Sequence, residues 1–551
     1  MPSSNEPLRC SEPAPESAGL ADYDPGVFYC ELFGRERRPA ANLKRIWQKL
    51  TSLGLATLRQ RASEAENELF NLGITFTVYT DKSAIDRILP FDIVPRIIDA
   101  PTWAILERGV VQRVAALNLF LWDIYHEQKI LKDGVIPADL VLKNPNYRPE
   151  MVGLDPPCGT YIHINGTDII RDHDGAFLVL EDNGRAPSGV SYVVENRHLM
   201  QRAFPDLMDG LRVRNVSDYG ERLRGKLAEV APAGVDNPVI VLLSPGVFNS
   251  AYFEHIFLAR EMGVPLVEGR DLVVDNDRVY MKTIAGLERV DVIYRRINDD
   301  FLDPEAFNAE SMLGVAGLMR AARKGTVTLA NAVGTGVADD KAVYAYVPRI
   351  IKYYLDEEPI LANVETHICR EKEGLAYTLD NLDKLVVKPV GESGGYGIVV
   401  GPKATKSELA EVRKRLIEDP ANYISQPMIN LSVCPTLTDK GLAPRHIDLR
   451  PYAITGRDTW VLPGGLTRVA LREGSIIVNS SQGGGTKDTW VLQSGIGNGA
   501  AHRQSQSQSQ SHGGGSQSQS QGLGQTEGQS QIQSQSQGQS QTMGGPEAGP
   551  A

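Results

Sequence analysis

The chain has few cysteines, and their scarcity argues against two kinds of site. It contains five in 551 residues, an odd number without the spacing of metal ligands or of a disulfide framework. Their positions are Cys10, Cys30, Cys158, Cys369 and Cys434. Neither a zinc site nor a disulfide-stabilised fold is indicated, and the pattern fits a reducing compartment.

Long apolar runs are also missing. The longest ones fall far short of the roughly 20 residues that a membrane-spanning helix needs. Residues 1–20 are rich in Pro, Ser and Glu and lack the basic and apolar blocks of a signal peptide. We therefore expect a cytoplasmic protein with no membrane partner.

Positive charge is not in excess either. The chain has 57 Lys and Arg against 68 Asp and Glu, a net charge of −11. A non-specific nucleic-acid binder needs a basic surface, so we expect no nucleic-acid partner. Local basic clefts for phosphates remain compatible with this balance, and small anions chelated by a metal are the better candidates.

What the chain has is enough apolar material for two or more domains, since 42% of its residues are hydrophobic. The tail after about residue 496 differs, because its Gln-Ser repeats contain no aromatic residue and hardly any charge. Such a composition cannot bury enough surface to offset chain entropy, and it predicts disorder. A dispensable linker and a weak tether for partners both fit it.

An apolar strand that ends in oxygen ligands is the first functional signal. In Ala176–Arg185 the run Phe-Leu-Val-Leu leads to Glu181 and Asn183. Side chains two apart on a strand point to one face and can share a hard cation such as Mg²⁺. Asp168 precedes them across the turn-like Asp172–Gly175, so a hairpin would add a third oxygen. Taken alone, a Glu-x-Asn pair is more often a solvated strand end. Only other motifs in the chain can decide whether this pair binds a metal.

A short β run with a lysine precedes a glycine-rich segment. Leu385–Val390 reads Leu-Val-Val-Lys-Pro-Val, and Gly391–Gly397 is Gly-Glu-Ser-Gly-Gly-Tyr-Gly. Backbone N–H groups of such a segment can close over phosphate oxygens while Lys388 supplies a point charge. The lysine comes before the glycines, unlike the common Gly-x-x-x-x-Gly-Lys-Ser/Thr loop. By itself, the segment also fits a plain turn between strands.

Two further segments flank this pair. Lys341 follows two aspartates and opens an amphipathic helix that continues to about Tyr354. Asn422–Ile429 is an extended segment of the kind that can run past an adenine and hydrogen-bond it through its backbone.

In this order the segments resemble the ATP-grasp superfamily of ligases. There, one lysine stands at a helix start after Asp, and a second stands on a strand before a flexible Gly-rich loop. An adenine-binding segment and strands with arginine follow, here matched by Arg445–Arg450 and Leu466–Ala470. The superfamily then ends with an Asp and a Glu-x-Asn pair for magnesium, but after Gly485 this chain soon turns into Gln-Ser repeats. The ligands stand near the beginning instead, as Asp168 and the Glu181/Asn183 pair.

This order is a circular permutation, which is tolerated because chain ends in compact domains often lie close together. The chain resembles the circularly permuted ATP-grasp proteins, which are akin to the synthetase domain of glutathionylspermidine synthase. Leu180–Tyr192, Tyr294–Asn298 and Lys388–Gly397 carry the resemblance, which covers about residues 20–495. It implies an α/β (α+β) protein with a permuted ATP-grasp fold, an open α/β subdomain and a disordered Gln/Ser-rich tail.

The resemblance also implies a division of the chain. We expect a disordered N-terminus (1–22), a mainly helical region (23–140), the permuted metal-binding part (141–200), an α/β pre-ATP-grasp subdomain (201–335), a part with the lysines, Gly-rich loop and adenine segment (336–495), and the disordered tail (496–551).

The implied site has three groups of residues. Magnesium would be held by Asp168, Glu181 and Asn183, and an acyl phosphate by Arg450 and Arg468. The residues implied to bind ATP are Lys341, Lys388, Ser393, Gly394, Gly395, Tyr396, Gly397, Gln426 and Met428.

The implied activity is ATP-dependent, Mg²⁺-dependent ligation of a small-molecule or peptide carboxylate to an amine through an acyl phosphate. Two alternatives remain. A nucleotide-binding protein that does not ligate is disfavoured because the metal ligands and both lysines are retained. A phosphotransferase, in which another nucleophile replaces the carboxylate, would use the same phosphate machinery. For Arg295 and Arg296, a substrate clamp and a surface ion pair fit equally well.

Overall fold

The computed structural model describes residues 23–35, 38–39, 43–80, 83–247, 249–390, 397–475, 478 and 484–494, without the side chains of 75–80 and 83–88. By internal contacts the chain divides into residues 1–495 and 496–551, and the described residues belong to the first unit. Two sets of predictions concern residues outside the described ranges. One is the disorder of residues 1–22 and of the tail, and the other is the ATP-binding role of Ser393, Gly394, Gly395 and Tyr396.

The helices of the described part are α1 Lys44–Asn71, α2 Ala100–Tyr125, α3 Lys129–Lys132, α4 Ala138–Leu142, α5 Val190–Ala203, α6 Pro205–Met208, α7 Tyr219–Glu229, α8 Tyr252–Met262, α9 Asp299–Leu302, α10 Leu318–Arg323, α11 Lys341–Leu355, α12 Lys372–Asp380 and α13 Lys406–Glu418.

The strands are β1 Thr75–Thr80, β2 Ser83–Ile88, β3 Phe91–Ile98, β4 Ile164–Arg171, β5 Phe177–Asn183, β6 Ile240–Leu243, β7 Leu266–Val267, β8 Leu272–Asp275, β9 Arg278–Thr283, β10 Gly286–Val290, β11 Val292–Arg295, β12 Thr328–Ala330, β13 Ala362–Asn363, β14 His367–Ile368, β15 Leu385–Pro389, β16 Val399–Val400, β17 Tyr423–Pro427, β18 Val433–Thr438, β19 Gly441–His446, β20 Tyr452–Thr455, β21 Thr459–Val461, β22 Thr467–Val469 and β23 Gly485–Val491.

Local chemistry explains where several helices begin and end. The Asp99 side chain accepts a hydrogen bond from the Thr102 N–H at 2.9 Å and caps α2. The apolar spacing of residues 102–131 predicts one continuous helix, but the structure divides this stretch into α2 and α3, and Gln128 between them adopts a left-handed φ of 55°. The sequence also predicts a helix with Pro205 near its end. In the structure α5 stops at Ala203 and the proline starts α6, because proline disfavours helical geometry in the residue before it.

A four-stranded parallel sheet, in the order β12-β11-β6-β7, forms the predicted open α/β subdomain. Leu242 and Val292 pack into an apolar cluster on one face, and Val241 and Ile293 pack into another on the opposite face. The sheet is therefore covered on both sides, which accounts for its continuous apolar strands. The antiparallel meander β8–β10 in the same region was not predicted from the sequence.

Three other sheets position the candidate site. β4 and β5 lie inside a five-stranded sheet with the order β13-β5-β4-β20-β21. β15 belongs to a four-stranded sheet, β14-β17-β15-β16, and β22 belongs to a three-stranded sheet, β22-β23-β3. Strands from distant parts of the chain thus meet in two of these sheets. Within the described ranges, no helix combines the length and apolar character needed to cross a bilayer.

Candidate active site

The predicted hairpin brings the three oxygen-bearing residues together. β4 and β5 pair antiparallel, with Asp168 opposite Glu181 and Gly166 opposite Asn183. The side-chain Nδ2 of Asn183 donates to the Gly166 carbonyl at 3.2 Å. Glu181 keeps a third of its side chain exposed (33%), whereas Asp168 is buried.

Asp168 forms ion pairs with both predicted catalytic arginines. The Arg450 Nε donates to Asp168 Oδ1 and its Nη2 to Oδ2 at 2.8 Å, although the two residues are 282 positions apart. Arg468 Nη2 donates to Asp168 Oδ2 at 2.6 Å. Burial opposes ionisation of Asp168, but Arg450 and Arg468 outweigh it and hold the pKa of this carboxyl well below its usual range. Both oxygens of Asp168 therefore serve as acceptors for guanidinium groups.

A second carboxylate completes this cluster, and sequence reasoning missed it. Arg468 Nε lies 3.1 and 3.0 Å from the two carboxylate oxygens of Asp448, and its Nη2 donates to Asp448 Oδ2 at 2.5 Å. Asp448 is buried, and this burial raises its pKa. Arg468 thus bridges two buried aspartates. The available signal was the Asp-Leu-Arg spacing of Asp448 and Arg450, which places both on one side of an extended segment.

Glu181 has a different environment from Asp168. Its nearest cation in this cluster is Arg450, whose Nη2 lies 3.8 Å from Glu181 Oε1. Burial and the charge of Asp168 raise the pKa of Glu181, while Arg450, Lys341 and Arg468 act in the opposite direction. Glu181 therefore interacts electrostatically with both the arginine cluster and the lysine that begins α11.

Lys388 approaches Glu181 from the sheet of β15. Its Nζ donates to Gln426 Oε1 at 2.6 Å, and Gln426 Nε2 donates to Thr366 Oγ1 at 2.8 Å. Burial and the charge of Lys341 lower the pKa of Lys388 to about 8, against the opposing effect of Glu181. The Gln426 side chain thus orients the lysine, a contact that the sequence did not predict.

Lys341 is the first residue of α11, where helix N–H groups and the helix dipole favour anions. Asp340 caps the helix by accepting from the Ala342 and Val343 N–H groups at 2.8 and 3.1 Å. The Asn144 amide holds the other Asp340 oxygen at 2.8 Å. The charge of Lys341 acts on the pKa of Glu181 and on that of Lys388, so the three side chains lie within electrostatic reach of one another.

Two further residues predicted to contact ATP, Gly397 and Met428, lie in the described ranges. Gly397 has a left-handed φ of 70° and directly follows residues outside the described ranges. Met428 is half-buried just after β17. Their roles toward a nucleotide stay predictions.

Arg295 and Arg296 form ion pairs, but both are buried rather than on the surface. Arg295 donates to three backbone carbonyls and pairs with Asp299 at 2.7 Å. Arg296 pairs with Glu254 at 3.0 Å and donates to Ser188 Oγ at 2.5 Å. The expectation of a surface ion pair is therefore wrong about exposure, because these arginines hold the parallel sheet and its loops together.

Comparison with known proteins agrees with this architecture. The model of a family described as circularly permuted ATP-grasp type 2 matches residues 95–470. The chain belongs to this family. An uncharacterised protein of Synechocystis is 52% identical over 86% of this chain and 99% of its own length. A Frankia alni protein named "Putative glutamate--cysteine ligase 2-3" is 45% identical over 86% of this chain and 54% of that protein.

A solved structure supports the fold independently. A glutathione synthetase-like effector from Globodera pallida aligns with a TM-score of 0.51 at 11% identity, over 80% of this chain and 98% of that one. The predicted circularly permuted ATP-grasp fold is thereby confirmed. The predicted enzyme class, an ATP-dependent ligase forming C–N bonds, agrees with this family and with the ligase name of the Frankia relative.

Proposed function

We propose that the protein is a carboxylate–amine ligase that works through an acyl phosphate and requires Mg²⁺. The observation that carries this proposal is that Glu181 lies 3.8 Å from Arg450 of the arginine cluster and interacts electrostatically with both Lys341 and Lys388. The two lysines suit the phosphates of ATP, and the arginines suit a phosphorylated carboxylate.

The donor set suits magnesium. Glu181 offers a partly exposed carboxylate, and Asn183 uses its amide nitrogen on Gly166, which leaves its carbonyl oxygen as the ligand atom. Hard oxygen donors of this kind are what Mg²⁺ prefers, and the bound ion would supply positive charge at the β- and γ-phosphates. Asp168, the third predicted ligand, acts in this proposal through the two arginines that occupy its oxygens.

The chain's residues then have distinct tasks. Lys341 and Lys388 bind the triphosphate while an oxygen of the substrate carboxylate attacks the γ-phosphorus and ADP leaves. Arg450, the cluster arginine nearest Glu181, holds the resulting acyl phosphate. An amine then attacks the acyl carbon, phosphate departs, and an amide remains. Arg468 positions Arg450 indirectly, because it donates to the same Asp168 carboxylate.

The name of the Frankia relative suggests a first substrate pair for testing, glutamate and cysteine. ADP release should be measured with purified protein, ATP and Mg²⁺ against a panel of amino acids and peptides, singly and in acid–amine pairs, with mass spectrometry of products. A ligase releases ADP in step with a new amide. ADP release with a phosphorylated alcohol as product would favour the phosphotransferase, and ATP binding without turnover would favour the non-ligating protein.

Affinity for Mg²⁺·ATP should fall as the pH rises above about 8. The pKa of Lys388 is about 8 without nucleotide, so the lysine is protonated below that pH and loses its charge above it. Phosphate binding favours the charged form, and binding above pH 8 therefore takes up a proton. Isothermal titration calorimetry in buffers of different ionisation enthalpy would detect this proton.

Two variants of Lys388 serve as controls. In Lys388→Arg the guanidinium stays charged throughout, so the affinity should stay constant between pH 7 and 9.5. In Lys388→Met the affinity should be low at every pH. A wild-type protein that shows the same affinity across this range contradicts the assignment of Lys388 to the phosphates.

A further inference from the structure

The residue after Asn183 is fixed through both of its peptide groups. The Gly184 N–H donates to Asp339 Oδ1 at 2.5 Å, and the Gly184 carbonyl accepts from Asn331 Nδ2 at 2.7 Å. A Cβ at Gly184 would lie only 2.9 Å from the Ile162 side chain, so the backbone is closely packed there. Side chains from the 331–340 connection thus determine where the end of β5 lies.

Asp339 also holds the next residue. Its Oδ2 accepts from Arg185 Nε at 2.9 Å. The stem of Arg185 packs over Gly336, where a Cβ would lie 2.8 Å from Arg185 Cδ. One carboxylate therefore binds two consecutive residues that directly follow the proposed metal ligands.

The neighbouring aspartate, Asp340, contacts helix α11 instead of β5. Asp340 caps α11 and fixes the helix whose first residue is Lys341. Because Asp339 and Asp340 are adjacent, the β5 end and the α11 start are joined through two consecutive side chains. A shift at Asp339 would change the distance between the ligand pair and Lys341.

We propose that Asp339 is a positioning residue that sets the metal-binding end of β5 against Lys341 through its hydrogen bonds to Gly184 and Arg185. The inference rests on the proposed function, because it assigns Asp339 to the Mg²⁺-dependent part of ATP binding. Groups that orient metal ligands typically contribute about 10- to 100-fold in metal affinity or activity.

The test measures ATP binding directly, by calorimetry on the full chain with and without Mg²⁺. In Asp339→Ala the Mg²⁺ concentration for half-maximal enhancement of ATP binding should rise about 10- to 100-fold. Affinity for ATP without Mg²⁺ should change little, since both lysines remain. Asp339→Asn keeps an acceptor for the Gly184 N–H but places an NH₂ group against Arg185. Its half-maximal Mg²⁺ concentration should therefore lie between those of Asp339→Ala and the wild type. This variant replaces Asp339→Ala in the test if the alanine variant does not fold.

Asp303 offers a matched control. It is buried and accepts from the Gly317 and Met319 N–H groups at 3.1 and 2.8 Å, in the parallel-sheet subdomain. Asp303→Ala should lower the melting temperature without altering the Mg²⁺ dependence. The inference is overturned if Asp339→Ala keeps the wild-type Mg²⁺ dependence, or if both alanine variants alter it equally. A wild-type protein that binds no ATP in any condition overturns the proposed function itself, and this inference with it.

Discussion

Glu181→Gln is expected to lower turnover by about 10²–10³, because it removes a negative charge from the proposed magnesium site with almost no change in shape. The fold should not suffer. Burial and Asp168 raise the pKa of Glu181, so at neutral pH its ionised form is less favourable in the folded protein than in the unfolded one. The neutral glutamine removes this penalty, and the melting temperature should equal or exceed that of the wild type.

Glu365→Gln is the matched control for this variant. Glu365 is an exposed glutamate that lies 3.4 Å from the ring of His367. Its substitution removes the same charge and should leave ADP release within about twofold of wild type, since exposed ion pairs contribute little. Equal loss in both variants, or full activity of Glu181→Gln, would place the metal elsewhere.

The backbone of the site could be predicted because it depends on local patterns. The turn at Asp172–Gly175 predicts the β4–β5 hairpin, and the apolar runs in residues 238–246 and 290–294 predict buried strands of a parallel sheet. The permutation could be inferred as well, because the order of the motifs departs from the usual one. In the structure, the charge of Glu181 raises the pKa of Lys388 against the effect of burial, so the two residues lie within electrostatic reach despite their separation in the sequence.

The partners of individual side chains were beyond sequence reasoning. Asp168 lies on the predicted face, but its oxygens are occupied by two arginines from strands near the other end of the chain. The local sequence predicts only the face of the strand on which the Asp168 carboxylate lies, and not the charged side chains that contact it. Its low pKa comes from charges 282 and 300 positions away.

The contacts of Gln426 and Arg296 could not be predicted for the same reason. The sequence places Gln426 in an extended segment, and only the antiparallel pairing of β15 with β17 brings it to Lys388. Arg296 stands at a strand exit, where a ligand site and a buried ion pair look alike. Its partner, Glu254, comes from α8, whose packing depends on the whole subdomain.

Arg468→Met is expected to lower the free energy of unfolding by about 3–5 kcal/mol, the usual loss when one partner of a buried ion pair is removed. The reason is its position between Asp168 and Asp448, both buried, which would be left with too little positive charge. Arg450→Met should be less destabilising, because Asp168 keeps its hydrogen bond from Arg468. Urea unfolding of both variants measures the difference.

Turnover should be affected in the opposite order, with the larger specific loss in Arg450→Met. Arg450 lies nearest Glu181, so Arg450→Met should lose ADP release by about 10²–10³ while the protein stays folded. Arg445→Met is the control: Arg445 donates to the backbone carbonyls of Leu471 and Pro444, and its loss should cost about 0.5–1.5 kcal/mol with little effect on turnover. If Arg450→Met proves the less stable variant, or keeps its activity, the task of holding the acyl phosphate belongs to another cation.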